Sequence, residues 1–369
     1  MRATLKRAEL VRYWWEYRGR LRTMLQVVDP DGAVRLSAAE RRVVRDYWMG
    51  FGVSYVNSDW YRLFKVLLGT VDPRFVPEEI FRTRLEPFLC RRDVSAAYHD
   101  KNQLDRLLPD LPRPHTILRN IYGEYFDDLY QPVERRHVIG FLAERKGEHF
   151  LKPAISGTGS GHNVARVEFT PAGFQIGASV WSLADVERAY VQDFVVQEEV
   201  RQHESLARFH PQSLNTLRVI TMRLDGAVRP IAATLRFGNG SHVDNGHAGG
   251  LLCGVRIADG TTTSFGCDVS FRRFERHPRS GEAFAGHTVV SFEAVLKLAV
   301  AAHRQLAYFD VLSCDVAVTD DGTPCLVEVN TFGQGVEPHQ FLKGAPLFGD
   351  DTDTVLSLVA RRRDAGWNS

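Results

Sequence analysis

Asp315, Glu328 and Asn330 are the residues whose types and spacing point most directly to chemistry. They lie in two alternating, β-branched runs, 309–319 and 325–331, on either side of Asp320-Asp321-Gly322-Thr323-Pro324. An Asp-Gly step between such runs is a strong hairpin signal. With a symmetric loop, either Asp321-Gly322 or the four residues from Asp320 to Thr323, cross-strand partners keep a constant index sum and Asp315 falls opposite Glu328. Opposed side chains on one face of an antiparallel pair have Cβ atoms about 4.5–5.5 Å apart, and Asn330 joins that face by the two-residue strand period. Facing carboxylates repel unless a cation lies between them. An all-oxygen donor set suits Mg²⁺ better than zinc. The other face, Cys314, Val316 and Val318 with Cys325, Val327 and Val329, is expected in the core.

Further stretches carry chemistry of their own. Lys152 ends an apolar run and precedes Ser156, Gly157, Thr158, Gly159, Ser160 and Gly161. Glycines let successive backbone N–H groups approach anionic oxygens, and the lysine adds a point charge for the same phosphates. No Gly-Lys-Ser/Thr follows, so this is not a Walker A loop; alternation after Asn163 makes it a connection between two strands. Arg218 stands in an apolar strand, where its charge needs a buried acid or a bound phosphate. Arg236, beyond the Asp225-Gly226 turn, shares that face only if the loop has an odd number of residues, which stays open. The strand 194–200 turns acidic at Gln197, Glu198 and Glu199 before Val200, a place for the edge of a planar base. Residues 238–250 are too glycine-rich for regular structure and read as a lid; His242 and His247 there have no zinc spacing around them. Lys101 is a surface lysine or a phosphate contact.

These groups need a large scaffold. The 369 residues suffice for two or three domains, with 44% hydrophobic and 25% charged residues. A net charge of +1 argues against a broad nucleic-acid footprint. The five cysteines form no Cys-x-x-Cys pair or secreted framework, and no apolar run reaches membrane-spanning length, so a cytoplasmic protein is the expectation. Residues 1–95 read as helical, opening on a basic, aromatic helix and including a Ser37-Ala-Ala-Glu40 capping box and a Pro77-Glu78-Glu79 helix start. Residues 96–150 read as a small α/β unit; Ser291 to Leu306 and Asp353 to Arg363 read as helices.

Taken in order, Asp100-Lys101-Asn102, Lys152 with its glycine loop, Gln197-Glu198-Glu199, Asn215-Thr-Leu-Arg218, Arg236-Phe-Gly, Val243-Asp-Asn245 and Asp315…Glu328-Val-Asn330 resemble the ATP-grasp superfamily, and within it the sugar-transfer-associated group. The resemblance covers roughly Asp93 to Asn330. It implies an α+β ATP-grasp fold: two α+β subdomains with antiparallel sheets, 151–205 as nucleotide lid and 206–369 as catalytic and metal subdomain, after a helical N-terminal region. By the same analogy ATP and Mg²⁺ are the cofactors. Lys152 and the loop Ser156–Gly161 hold the phosphates, with Lys101 as a second lysine, and Glu198 with the following backbone reads adenine. Asp315, Glu328 and Asn330 hold Mg²⁺, while Arg218 and Arg236 stabilise transferred phosphate. The expected activity joins a small-molecule carboxylate to an amine through an acyl phosphate, in polysaccharide or natural-product assembly. A phosphotransferase and a non-catalytic nucleotide-binding accessory of a glycosylation pathway are the alternatives. A homodimer is one open option for its assembly.

Overall fold

A computed structural model of the chain describes residues 2–155, 164–190, 193–240 and 249–367, without the side chains of 2–11 and 14. Among the described residues two seven-stranded antiparallel sheets form. The first runs through β1 (Thr116–Ile121), β2 (Glu124–Phe126), β3 (His149–Pro153), β4 (Ala165–Thr170), β5 (Gly173–Ile176), β6 (Ser179–Trp181) and β7 (Phe194–Glu198), in the order β2-β1-β7-β3-β4-β5-β6. β7 is thus paired on both sides, by β1 and β3. The division expected at residue 150 falls inside β3, a central strand of this sheet.

The second sheet contains β8 (Thr216–Leu224), β9 (Ala227–Phe237), β10 (Leu251–Val255), β11 (Thr262–Cys267), β12 (Arg273–Phe274), β13 (Val311–Val318) and β14 (Pro324–Asn330), ordered β12-β11-β10-β9-β8-β13-β14. β8 and β9 meet at a two-residue turn in which Asp225 and Gly226 both have positive φ, 50° and 77°. That is the turn whose twist matches paired strands. One sheet face packs on the helix Phe292–Gln305: His303 Nδ1 lies 2.7 Å from the Thr221 hydroxyl and Cys314 points at the Ala299 carbonyl. The other face is shared by the helix Glu337–Lys343, where His339 meets Thr234, and by an open cleft.

The helical N-terminal region is present, from Arg2–Val28 through Ala38–Gly50 and Asp59–Leu68. The capping box at Ser37 and Glu40 forms with both reciprocal hydrogen bonds. These helices share one core with the second sheet: Trp48, Trp60 and Phe64 belong to the same cluster as Val219, Leu312 and Phe341. The first sheet has a separate core built from residues such as Leu118, Leu151, Phe174 and Phe194. No helix among the described residues is long and apolar enough to cross a membrane. Pro77 does start a helix, but the two acids after it are buried rather than solvated at a dipole end.

Candidate active site

The two sheets bound a cleft of ≈ 380 Å³. Phe150, Lys152, Arg166 and residues 198–202 line it from the first sheet, and Thr216, Arg218, Arg236, Asp315, Val327, Glu328 and Asn330 from the second. Lys101 enters from a segment that pairs along the end of β3: its N–H donates to the Ala154 carbonyl, and Asp100 bridges Ile155.

Asp315 lies opposite Glu328, and Ser313 opposite Asn330. The expected pairing holds, but by another route. Val318 pairs with Pro324, so the loop 319–323 has an odd number of residues, and a bulge at Val327 restores the register before Asp315. The bulge corrects the face assignment. Leu326, fully buried, takes the core position opposite Val316, whereas Val327 lines the cleft and Cys325 shares the face of Ala317 and Asp315. Sequence alternation missed this because one extra residue in a strand inverts everything beyond it.

Arg218 needs a buried acid or a bound phosphate, and it finds the acid. Its Nε and Nη2 donate to Asp315 Oδ1 and Oδ2 at 2.8 and 2.7 Å. Arg236 Nη1 donates to Oδ2 at 2.7 Å. It reaches the same face through a second bulge: the register of β8 and β9 shifts between Ile220 and Thr221, so Thr216 pairs with Arg236 and Arg218 with Thr234. The two-residue turn alone would have left Arg236 on the other face. Burial pushes the Asp315 carboxyl up, but Arg218 and Arg236 outweigh it and hold it well below the usual carboxylate range. Glu328 is also pushed up by burial and by Asp315, yet Lys101, whose Nζ is 3.3 Å from Oε1, leads the effects that bring it below its ordinary value. Both acids are therefore ionised.

That donor set fits a hard divalent cation. Among the described residues no three His, Cys, Asp or Glu side chains are arranged for a metal; the set is two carboxylates and the Asn330 amide, which lies 3.5 Å from Asp315 Oδ2. An ionised carboxylate has about four lone-pair sites. Three close donors use three of Asp315's, leaving one on Oδ1. Together with Glu328 and with oxygens of a bound ligand, that is the chemistry Mg²⁺ takes.

On the first sheet, Lys152 Nζ donates to Gln197 Oε1 at 3.0 Å, and Gln197 Nε2 donates to the Thr116 hydroxyl. Gln197 thus faces the lysine, while Glu198, one residue on, turns to the opposite side and meets His115 at 3.1 Å. Glu199 pairs with Arg166, and the Glu198 and Glu199 N–H groups go to the His115 and Glu148 carbonyls. Val200 lines the cleft beside them. Ser156, Gly157, Thr158, Gly159, Ser160 and Gly161 lie outside the described residues, as do residues 241–248 of the second glycine-rich segment. Thr216 and Arg166 line the cleft without having been singled out in the sequence. An isolated Thr or Arg carries no spacing signal, and only strand pairing brings them in.

The family described as sugar-transfer associated ATP-grasp matches residues 81–354. The chain belongs to that family. Two mixed α and β lobes with antiparallel sheets around a cleft agree with the ATP-grasp fold. No curated protein matches the chain. Among solved structures, the chain is similar to the ATP-grasp ligase PsnB complexed with minimal precursor, Mg and ADP, at 15% identity over 72% of this chain and 60% of that one, TM-score 0.39. It is similar to the L-amino acid ligase from Bacillus licheniformis at 13% identity over 72% and 48%, TM-score 0.40. For the VanG D-Ala:D-Ser ligase from Enterococcus faecalis the values are 13%, 73% and 64%, TM-score 0.44. The matched part therefore spans between about half and two thirds of these proteins' lengths.

Proposed function

We propose that the protein is an ATP- and Mg²⁺-dependent ligase that joins a carboxylate to an amine. The observation that supports it most is that one cleft holds four cationic groups, Lys101, Lys152, Arg218 and Arg236, together with the paired acids Asp315 and Glu328. Such a constellation suits a triphosphate held by cations above a two-carboxylate metal site. We assign the phosphates to Lys152 and Lys101, the base edge to Gln197–Val200, and Mg²⁺ to Asp315, Glu328 and Asn330. Residues 116–198 form the nucleotide-side lobe and the second sheet the catalytic lobe.

A carboxylate is a poor acyl donor because oxide is a poor leaving group. Transfer of the γ-phosphoryl group makes an acyl phosphate; an amine then attacks the acyl carbon and phosphate departs. Bound Mg²⁺ would supply charge neutralisation on the phosphoryl oxygens. Arg218 and Arg236, already on the cleft face, offset charge that develops on the transferred group. Asp315 holds both guanidiniums in place, and no serine or cysteine nucleophile is required. Purified protein with Mg·ATP and pooled acids and amines tests this. Phosphate release that depends on both an acid and an amine supports a ligase. A stable phosphorylated acceptor identifies a phosphotransferase, and nucleotide binding without turnover an accessory protein.

A further inference from the structure

The segment after Asn330, residues 331–336, belongs to no strand or helix, yet Thr331, Gln334 and Val336 are buried. Buried backbone N–H groups need partners. Here those partners are side chains from residues 78–99. Thr331 N–H donates to His99 Nε2 at 3.0 Å. Gly333 N–H donates to Glu86 Oε1 at 2.8 Å, and Gln334 N–H reaches the same oxygen at 3.4 Å. Val336 N–H donates to Glu78 Oε2 at 2.7 Å. Arg82 donates to the Gly333 carbonyl and pairs with both Glu78 and Glu86.

The helical geometry makes this possible. Residues four apart in an α-helix drift by about 40° per step, so Glu78, Arg82 and Glu86 would spread around it. The chain between them, Phe81–Leu85, is a π-helix. Its wider turn takes up that drift and keeps the three on one face; π turns of this kind recur at functional sites. The exit of β14 is therefore fixed at two points, Thr331 and Gly333, within three residues of Asn330.

We propose that Glu86 is a positioning residue for the cation-binding edge. By accepting the Gly333 and Gln334 amides it sets the path of the chain out of β14, and with it the placement of Glu328 and Asn330. The helical N-terminal region is then part of the site, acting through the backbone of residues 331–336. This rests on the proposed assignment of Asp315, Glu328 and Asn330 to a divalent cation.

The test uses the full chain, with Mn²⁺ as the cation and ADP as the nucleotide. Mn²⁺ affinity at saturating ADP is read by electron paramagnetic resonance, and ADP affinity in chelator by calorimetry. Glu86→Ala is expected to weaken Mn²⁺ binding about tenfold or more, the usual scale for groups that orient a ligand, with cation-free ADP affinity unchanged. Glu86→Gln keeps an acceptor oxygen and is expected to restore most of the loss. Glu40→Gln, a change at a helix cap remote from the cleft, is the stability control and should leave Mn²⁺ affinity alone. Wild-type Mn²⁺ affinity in Glu86→Ala overturns the proposal. So does a Glu86→Gln protein as weak as Glu86→Ala, which would reduce Glu86 to charge pairing with Arg82. Hydrogen exchange on the unaltered chain covers a Glu86→Ala that fails to fold: the Gly333, Gln334 and Val336 amides should exchange slowly, and free-peptide rates there overturn the brace. A wild-type protein that takes up no Mn²⁺ with ADP sinks the cation assignment itself, a result distinct from two proteins that bind it alike.

Discussion

Arg236 and Asp315 stand two strands apart in the sheet, with β8 between them, yet the Arg236 guanidinium donates to Asp315 Oδ2 at 2.7 Å. Arg218 fills the intervening strand and grips both oxygens of the same carboxylate. One buried acid therefore organises two cations that the proposed reaction needs. Asp315→Asn removes the charge and leaves both guanidiniums without their counter-ion. Breaking a buried pair from one side costs about 3–5 kcal/mol, so urea unfolding should show a loss on that scale. Mg·ADP affinity by calorimetry should fall more than ADP affinity in chelator; equal falls would count against a cation role for Asp315.

Lys152 is held by Gln197 at the cleft wall. A hydrogen bond to a charged group contributes about 1.5–3 kcal/mol, and 1.4 kcal/mol is tenfold in affinity. Lys152→Met should weaken ATP at least about tenfold in a fluorescent-nucleotide competition, with Lys152→Arg intermediate because the charge remains. An unchanged affinity would remove Lys152 from the phosphate site.

The bulge in β14 separates two neighbouring apolar residues by role. Leu326 is fully buried in the core and Val327 lines the cleft. Leu326→Ala should cost about 2–5 kcal/mol by chemical denaturation. Val327→Ala should cost less than about 1 kcal/mol and show itself in nucleotide affinity instead. The reverse pattern would mean that the bulge is misplaced.

Glu78 and Glu337 form a buried carboxyl pair beside Arg20 and Arg82. Burial, then the Glu337 charge, holds the Glu78 carboxyl well above its ordinary 4.5. A carboxyl raised in the folded state contributes stability that is complete below the unfolded value and is lost as pH rises through the folded one. The loss therefore begins near pH 4.5 and continues upward. Glu337 runs the other way: burial raises it, but Arg20 leads the opposing effects and it ends below its ordinary value, so its contribution is lost on acidification. Glu78→Gln, neutral at every pH, should flatten the alkaline decline of melting temperature while leaving the acid limb in place. A parallel decline in both proteins would rule out proton sharing between the two acids.

Much of this was legible in the sequence because it is local. The Asp225-Gly226 hairpin, the Ser37 capping box and the helix around 292–305 all follow from residues a few positions apart, whereas the pairing of Asp315 with Glu328 holds only because the bulge at Val327 offsets a five-residue loop. Periodicity and turn chemistry act at that range. The face of Arg236 could not be decided there, since it depends on a bulge at Ile231 that leaves no mark in an apolar run. Nor could the side on which Val327 lies, for the same reason.

The types of the groups, two acids, an amide and four cations, were written in the chain; their meeting was not. Glu86 is 247 residues from Gly333, and Lys101 is 227 from Glu328. Contacts at such separation are fixed by which surfaces share a core, and here the N-terminal helices share theirs with the second sheet. Only packing selects that partnership, because a glutamate bound for burial against a backbone amide has the same local pattern as one bound for solvent.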